Sequence, residues 1–208
     1  MNNLVIKYHN VDIEEITYLI KKDIETVNHI QDEILNNNYV EDIRFLLSAQ
    51  VFRNNKCIYE DYALNDIVIQ KWNIAHLLEL ETYINGSFVH KHRSDGMIVS
   101  SPTGSTAYAL AGGGPIVQPS LDAMLLVPIC PHSLTNRPIV VDGKSSIEVV
   151  VTTREIDNAR LAIDGEVRLE LTSDDSIKVH KKDKSIKLIH PPEHDQFHIL
   201  REKLNWST

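Results

Sequence analysis

The sequence is poor in cysteine and contains no long hydrophobic run. Cys57 and Cys130 are its two cysteines in 208 residues, too few for a disulfide framework, so a reducing cytoplasm is the expected compartment. The longest apolar stretch, 123–130, is far shorter than the roughly 20 residues that a membrane span needs. No basic n-region and hydrophobic h-region follow Met1, so we expect neither a membrane partner nor a secretory signal.

Positive charge is also scarce. The chain has 21 Lys and Arg against 29 Asp and Glu, a net charge of −8, whereas a nucleic-acid-binding surface needs a basic field. The ten histidines show no zinc-type spacing such as H-E-x-x-H, and no paired C-x-x-C occurs. His194, between Glu193 and Asp195, is interpreted as the start of a helix rather than as a metal ligand. We therefore expect no nucleic-acid partner and assign no metal ligands.

The first part of the chain has the pattern of one long helix. Asp12 and Glu15 have the spacing of a capping box, and apolar residues then recur at steps of three and four up to Ile34. The run 36–38 of three asparagines ends the pattern. The apolar stripe predicts packing against the rest of the chain or against another copy of it. We assign residues 1–38 to this amino-terminal helical segment and 39–208 to a β domain.

From Arg44 onward the pattern changes to short strands bounded by turn residues. The predicted strands are 45–52, 58–70, 76–84, 88–92, 97–100, 137–141, 147–152, 159–171, 176–181 and 185–190. Asn85-Gly86 predicts a two-residue hairpin, and 182–184 a second hairpin with a solvated basic face. Residues 105–111 and 194–206 are the later helices. The expected fold is mainly β (α+β): two packed antiparallel sheets with a long amino-terminal helix, one short central helix and a carboxy-terminal helix.

One segment, 93–120, is unusually rich in glycine and small residues. A buried strand at 97–100 ends at Pro102, and residues 103–105 turn the chain into a helix. Such a turn directs backbone N–H groups and hydroxyls outward, which suits an anionic or polar ligand, and Asp95 is expected on the same side. A tight packing corner that needs small residues explains the composition equally well.

Two other kinds of site fit this segment poorly. A hydrolase nucleophile at Ser105 would require G-x-S-x-G, but Thr106 and Ala107 follow the serine. A phosphate-binding loop of the G-x-x-x-x-G-K-S/T type would require a lysine that is missing here.

The segment R-S-D-G-M-I-V-S-S-P-T-G-S-T-A-Y-A-L-A-G-G-G-P, at 93–115, resembles the signature of the NAD kinase family. Further similar motifs follow in the same order, namely P-S-L-D-A at 119–123, P-I-C-P-H-S-L at 128–134, R-P at 137–138, A-I-D-G-E at 162–166 and L-R-E-K-L-N-W at 200–206. The likeness covers about 39–206 and implies the mostly β carboxy-terminal domain of that family.

The resemblance also implies a set of dinucleotide-binding residues. These are Asn65, Asp66, His76, Arg93, Asp95, Thr106, Ala107, Tyr108, Ala109, Leu110, Ala111 and Glu166. Asp66 and Glu166 depart from the family, which has Glu and commonly Gln at these positions. A structural interpretation stays open for several of them: Asn65 as a turn residue, Arg93 in a surface ion pair and Tyr108 in packing.

The resemblance implies a function for the whole family. Its members phosphorylate NAD on the adenosine ribose 2′-hydroxyl to give NADP, with ATP or sometimes polyphosphate as donor and a divalent cation such as Mg²⁺. The family's amino-terminal G-G-D-G motif is absent from this sequence, and no catalytic residue is assigned. We expect an NAD-binding domain that is inactive alone and forms a homo-oligomer, because family sites take residues from a neighbouring subunit. The alternative is a non-catalytic NAD- or NADP-binding paralogue that acts as a sensor or partner subunit.

Overall fold

The computed structural model describes residues 27–29, 31–72, 76–133, 135–152 and 159–206. The chain divides into two compact units. One is Ile43–Lys187, and the other joins the chain up to Asp42 with the chain from Leu188 onward. Of the predicted amino-terminal helix, residues 27–29 and 31–35 are helical, and the remainder lies outside the described residues.

The described residues form two six-stranded sheets. The strands are β1 Val40–Arg53, β2 Lys56–Ala63, β3 Asp66–Lys71, β4 Leu78–Ile84, β5 Ser87–Ser94, β6 Gly96–Ser100, β7 Ala123–Ile129, β8 Ile139–Asp142, β9 Ile147–Val151, β10 Ala159–Ile163, β11 Glu166–Leu171 and β12 Ser176–His190. The first sheet has the order β2-β1-β12-β9-β4-β5 and the second β11-β10-β3-β6-β7-β8. The predicted mainly β fold of two antiparallel sheets is confirmed.

The main core lies between the two sheets. On β4 and β9 of the first sheet every second residue is buried, whereas β6 of the second sheet is buried on both faces. Leu80 on β4 and Val149 on β9 point inward from the first sheet, and Ile67, Ile69 and Leu161 point inward from the second. Burying each such aliphatic side chain contributes roughly 1.5–3 kcal/mol. This core fixes which residues of β3 face away from it, and those residues form the site.

The outer face of the second sheet is covered by the segment that follows β6. A 3₁₀ helix, Thr103–Thr106, leads into a short α-helix, Tyr108–Ala111, as the sequence predicts for the central helix. Ala109 and Val117 pack on Ile98 and Val127 in a second apolar cluster. The chain lies close to the sheet here, since a Cβ on Gly114 would come within 2.9 Å of the Val127 side chain.

Four strand predictions are wrong. Residues 58–70 and 159–171 were each predicted as one strand, but the first range spans parts of β2 and β3 and the second contains β10 and β11. Residues 182–184 form no hairpin, because β12 runs without interruption from Ser176 to His190. None of the three residues is glycine or has a positive φ, which the favoured two-residue hairpin turns require. The apolar run that became β7 was left unassigned as a strand, although its residues are buried on both faces.

Helix ends follow the asparagines and aspartates of the sequence. The helix that contains residues 31–35 is terminated by a turn at Asn37, which has φ 55°. Asn38 N–H donates to the Glu33 carbonyl at 2.8 Å, which is the hydrogen bond of a Schellman motif. The carboxy-terminal helix is Gln196–Leu204, and its cap, Asp195, accepts a hydrogen bond from the Phe197 N–H. No helix in the part of the chain that the structure describes combines the length and the apolar composition needed to cross a bilayer.

Candidate dinucleotide site

The site begins with the tight turn between β10 and β11. Asp164 and Gly165 have φ values of 48° and 83°, as expected for an Asp-Gly hairpin of type I′. The Asp164 carboxylate accepts hydrogen bonds from the backbone N–H groups of Leu64, Asn65 and Asp66 at 2.8, 2.8 and 3.1 Å. One aspartate therefore fixes the loop before β3, almost 100 residues earlier in the chain.

A second turn, after β6, packs directly on the same loop. The Ser101 hydroxyl donates to the Leu64 carbonyl at 2.5 Å, and Ser101 N–H donates to the Asn65 carbonyl at 2.9 Å. A Cβ on Gly104 would overlap the Asn65 carbonyl, so only glycine lets the two turns approach this closely. The small residues of 100–105 thus place Asn65 and Asp66 beside the start of the short helix.

Ser105 has a structural role in this turn. It is fully buried, its hydroxyl lies 2.7 Å from the Pro102 carbonyl as donor, and it accepts from the Val117 N–H at 3.0 Å. A hydroxyl held in this way is not available to a substrate. The packing interpretation of the small residues is therefore correct for Ser105, and it coexists with a cavity at the surface of the same turn.

The two turns enclose a cavity of about 370 Å³ on the outer face of the second sheet. Its lining residues are Asn65, Asp66, Val68, Gln70, Ala107, Tyr108, Ala162, Asp164 and Gly165. Val68 and Ala162 are direct partners across β3 and β10 and make an apolar floor, while polar groups stand at the rim. The volume falls in the range of small-molecule sites, about 300–1,000 Å³.

The Asp66 carboxyl is the most perturbed group in this cavity. It begins β3 and is 4% exposed. Burial and, secondarily, the Asp164 carboxylate raise the pKa of Asp66 to about 6, against a smaller lowering by the hydrogen bond from the Tyr108 backbone N–H. Perturbed carboxyls in clefts are frequent at functional sites.

The structure brings together four of the residues that the resemblance implied. Asn65, Asp66, Ala107 and Tyr108 line the cavity, and 42% of the Tyr108 residue is exposed. The other helix positions do not line it. Thr106 and Ala111 are exposed, Leu110 is half-buried, and Ala109 is buried beneath the helix.

Arg93 and Asp95 do not line this cavity within one chain, and their role in binding stays a prediction. Asp66 pairs with Ser100 and Gln70 with Gly96, and Lys71 N–H donates to the Asp95 carbonyl at 2.9 Å. Asp95 therefore lies about 16 Å along the strand from Asp66, beside the end of the cavity that Gln70 lines. Its carboxylate is 2.6 Å from the Lys71 ammonium. Arg93 is paired with Glu79 at 3.7 Å.

His76 and Glu166 also lie outside the cavity lining. His76 is exposed at the residues preceding β4. Glu166 is the first residue of β11, and its carboxylate lies 2.8 Å from the Arg168 guanidinium. That contact leaves the Glu166 side chain 70% exposed, and its role in binding stays a prediction.

Sequence reasoning missed five lining residues. Ala162, Asp164 and Gly165 were quoted only as part of the A-I-D-G-E motif at 162–166 and not as site residues, although a D-G dipeptide within a strand-like run predicts a hairpin tip. Val68 and Gln70 were not named, although they share the face of Asp66 by strand alternation. Within the described ranges, no three His, Cys, Asp or Glu side chains are grouped to hold a metal ion.

The chain was compared with known families, proteins and structures. The model of the ATP-NAD kinase C-terminal domain matches residues 64–191. The chain is 47% identical to the NAD kinase of Halorhodospira halophila over 176 residues, which are 84% of this chain and 57% of the relative. It is 45% identical to the NAD kinase of Thiobacillus denitrificans, covering 87% of this chain and 63% of the relative.

Solved structures agree with these sequence matches. Yeast NADH kinase complexed with NADH superposes with a TM-score of 0.83 at 27% identity, over 88% of this chain and 56% of that one. An Archaeoglobus fulgidus NAD kinase in complex with ATP has a TM-score of 0.64 at 23% identity, over 86% and 66% of the two chains, and this likeness shows the fold alone.

The chain therefore spans 57% to 63% of the length of these curated relatives. The family model covers more than half of the chain, and the site residues lie within the matched range. The chain belongs to the ATP-NAD kinase family through the C-terminal domain of that family.

Proposed function

We propose that this chain supplies the dinucleotide-binding domain of an NAD kinase, which transfers a phosphoryl group from ATP to the adenosine ribose 2′-hydroxyl of NAD. The observation that carries the proposal is the single cavity lined by both Asn65-Asp66 and Ala107-Tyr108. These are two of the segments that the family resemblance associates with the dinucleotide, and they are distant in sequence. The structural likeness to an NADH kinase complexed with NADH supports the same assignment.

The chemistry of the cavity suits the adenosine part of the dinucleotide. Val68 and Ala162 offer a flat apolar floor, and Tyr108 offers an aromatic face for a base. The Asn65 amide both donates and accepts, and an ionised Asp66 accepts from sugar hydroxyls or an exocyclic amine. The lining residues hold and orient an uncharged ligand. In the complete enzyme, ATP would supply the phosphoryl group and Mg²⁺ would neutralise the charge of the phosphates.

The proposal includes an oligomer. Arg93 and Asp95 are not among the residues of one chain that line the cavity. Since family sites take residues from a neighbouring subunit, we propose that these two residues contact a dinucleotide bound mainly by another copy. Binding is then expected only from an oligomeric form, which sedimentation at the concentrations used for titration would detect.

The test is calorimetric titration of the chain with NAD. Tyr108→Ala removes the aromatic face, and a stacking contribution of about 1–3 kcal/mol corresponds to a loss of affinity of about tenfold or more. Tyr62→Ala is the matched control, because Tyr62 has the same exposure, 41% against 42%, and lies outside the cavity. Equal affinities for both variants and the unmodified chain, or no NAD binding by an oligomer, would overturn the proposal.

The second candidate is a non-catalytic NAD- or NADP-binding paralogue that acts as a sensor or partner subunit. It is the alternative that the absence of a G-G-D-G motif from this sequence leaves open, since phosphoryl transfer depends on positioning and electrostatics around the phosphates. An assay of ATP- and Mg²⁺-dependent NADP production tests the alternative in one direction, since an NAD kinase domain without the rest of the enzyme is also expected to be inactive. We expect negligible turnover from this chain alone, and turnover near that of a full-length NAD kinase would contradict the non-catalytic alternative.

A further inference from the structure

We propose that the carboxyl pair Asp66 and Asp164 makes the cavity selective by charge. The cavity accepts the uncharged adenosine ribose of NAD and disfavours the same ribose once it carries a 2′-phosphate, so the pair favours substrate over product. The inference rests on the proposed function, because it requires the adenosine ribose to occupy this cavity.

The two aspartates are held together by the backbone. Asp164 N–H donates to the Asp66 carbonyl at 3.0 Å, and the Asp164 carboxylate accepts from Asp66 N–H at 3.1 Å. Both residues line the cavity. Because the Asp164 carboxylate is fixed by three backbone N–H groups, it cannot turn away when a second negative charge approaches.

No positive side chain in the described lining offsets this charge. The residues that line the cavity include no Lys, Arg or His. The groups that face Asp66 are Asp164 from the β10–β11 turn, Tyr108 from the short helix and Ser100 from β6. Cations on adjoining elements have other partners: Arg44 binds Thr103, Lys71 pairs with Asp95, Arg160 with Glu170, and Arg168 with Glu166 and Asp61. A phosphate monoester, with about −1.5 to −2 charge at pH 7, would therefore meet two carboxylates and no counter-ion from the cavity lining of the chain that binds it.

The Asp66 side chain makes this selectivity depend on pH. Burial and the neighbouring Asp164 raise the pKa of Asp66 to about 6, so its carboxyl is ionised at pH 8 and largely neutral at pH 5. The ionised form accepts hydrogen bonds from sugar hydroxyls and repels phosphate, whereas the neutral form can donate a hydrogen bond to a phosphate oxygen. Affinity for NAD should fall, and affinity for NADP should rise, as the pH decreases through 6.

The experiment measures the dissociation constants of NAD and NADP by calorimetry between pH 5 and pH 8. We expect NAD to bind about tenfold more tightly than NADP at pH 8, with the ratio decreasing several-fold by pH 5, on the scale of one pKa unit of differential interaction. In Asp66→Asn the ratio should be smaller at pH 8. Its remaining pH dependence reports the titration of the ligand phosphate, whose second pKa is about 6.

The control is Asp61→Asn, a carboxylate outside the cavity that accepts from Tyr59, and it should behave as the unmodified chain. Asp164→Asn is not used, since loss of the loop contacts would change the fold. If both ligands bind with the same ratio in the unmodified chain and in Asp66→Asn at every pH, the charge selectivity is wrong while the proposed function stands. If neither ligand binds to the oligomer, the proposed function fails as well.

Discussion

At the pH at which the ionised Asp66 carboxylate is useful for binding, its buried charge lowers the stability of the folded state. Its pKa rises from 3.8 to about 6 on folding, so the native state binds this proton more tightly than the unfolded chain. The stability that the protonated form provides is present below pH 4 and is lost as the pH rises to 6. Asp66→Asn should therefore raise the free energy of unfolding at pH 8 by on the order of 2 kcal/mol and leave it nearly unchanged at pH 4.

Urea unfolding at both pH values checks this prediction, and another buried aspartate provides the control. Burial opposes the charge of Asp175, but hydrogen bonds from Arg53 and Thr172 outweigh burial and lower the pKa of its carboxyl. Arg53 donates to both carboxylate oxygens, at 2.8 and 2.7 Å. Asp175→Asn should thus lower stability at pH 8, and a stability loss in Asp66→Asn at that pH would contradict our account of Asp66.

At the scale of single residues, the local pattern and the family resemblance led to four of the cavity residues but not to the role of Asp164. Ala107 and Tyr108 follow a recognisable strand–turn–helix segment, and the resemblance named Asn65 and Asp66. The role of Asp164 depends on hydrogen bonds to N–H groups that lie 98 to 100 positions away. Such a contact exists only after β3 and β10 have paired, so local pattern gives no sign of it.

The turn between β6 and the short helix is the element that positions the site, and Gly104 is its critical residue. In Gly104→Ala the new Cβ overlaps the Asn65 carbonyl and lies 2.6 Å from the Ser100 hydroxyl. The two turns must then separate, and Asn65 and Asp66 move relative to Tyr108. We expect a loss of stability of about 1–3 kcal/mol from overpacking and a loss of NAD affinity that exceeds the stability effect, measured by urea unfolding and calorimetry.

Gly113→Ala is the control for this element. Gly113 has φ 82°, and an added Cβ would meet nothing within 4 Å, so the cost is backbone strain of about 1–2 kcal/mol without a collision. This variant should lose stability and keep its NAD affinity. Equal effects of the two substitutions on affinity would show that contact between the turns does not position the site.

Elements with strict alternation or clear turn residues were predictable, and elements without them were not. The hairpin at Asn85-Gly86 was expected from its dipeptide, and both residues have positive φ values. β7 is buried on both faces between β6 and β8, so it lacks the alternation of a half-exposed strand. The continuity of β12 through 182–184 depends on pairing within the first sheet, which the lysines and aspartate of that stretch do not reveal.

For the whole molecule, two buried titratable groups act on stability in opposite directions. His92 on β5 is 4% exposed, and neither of its ring nitrogens has a hydrogen-bond partner in the described part of the chain. Burial, and then the charge of His90, lower the pKa of His92 to about 4 from 6.5. Between pH 6 and pH 4 the protein thus gains stability from Asp66 and loses it from His92, so the two contributions largely cancel.

Substitution of His92 should reveal the loss of folding stability that this histidine causes at acid pH and that Asp66 otherwise offsets. The native state binds this proton less tightly than the unfolded chain, so the stability is present above pH 6.5 and is lost as the pH falls towards 4. Between pH 7.5 and pH 4, the free energy of unfolding of His92→Leu should fall by on the order of 3 kcal/mol less than that of the unmodified chain. The exposed His132→Leu should show no such difference. His92 and Asp66 lie on different sheets, so the effects should add in the double variant. A pH-independent difference between His92→Leu and the unmodified chain in urea unfolding would mean that His92 is not buried in its neutral form.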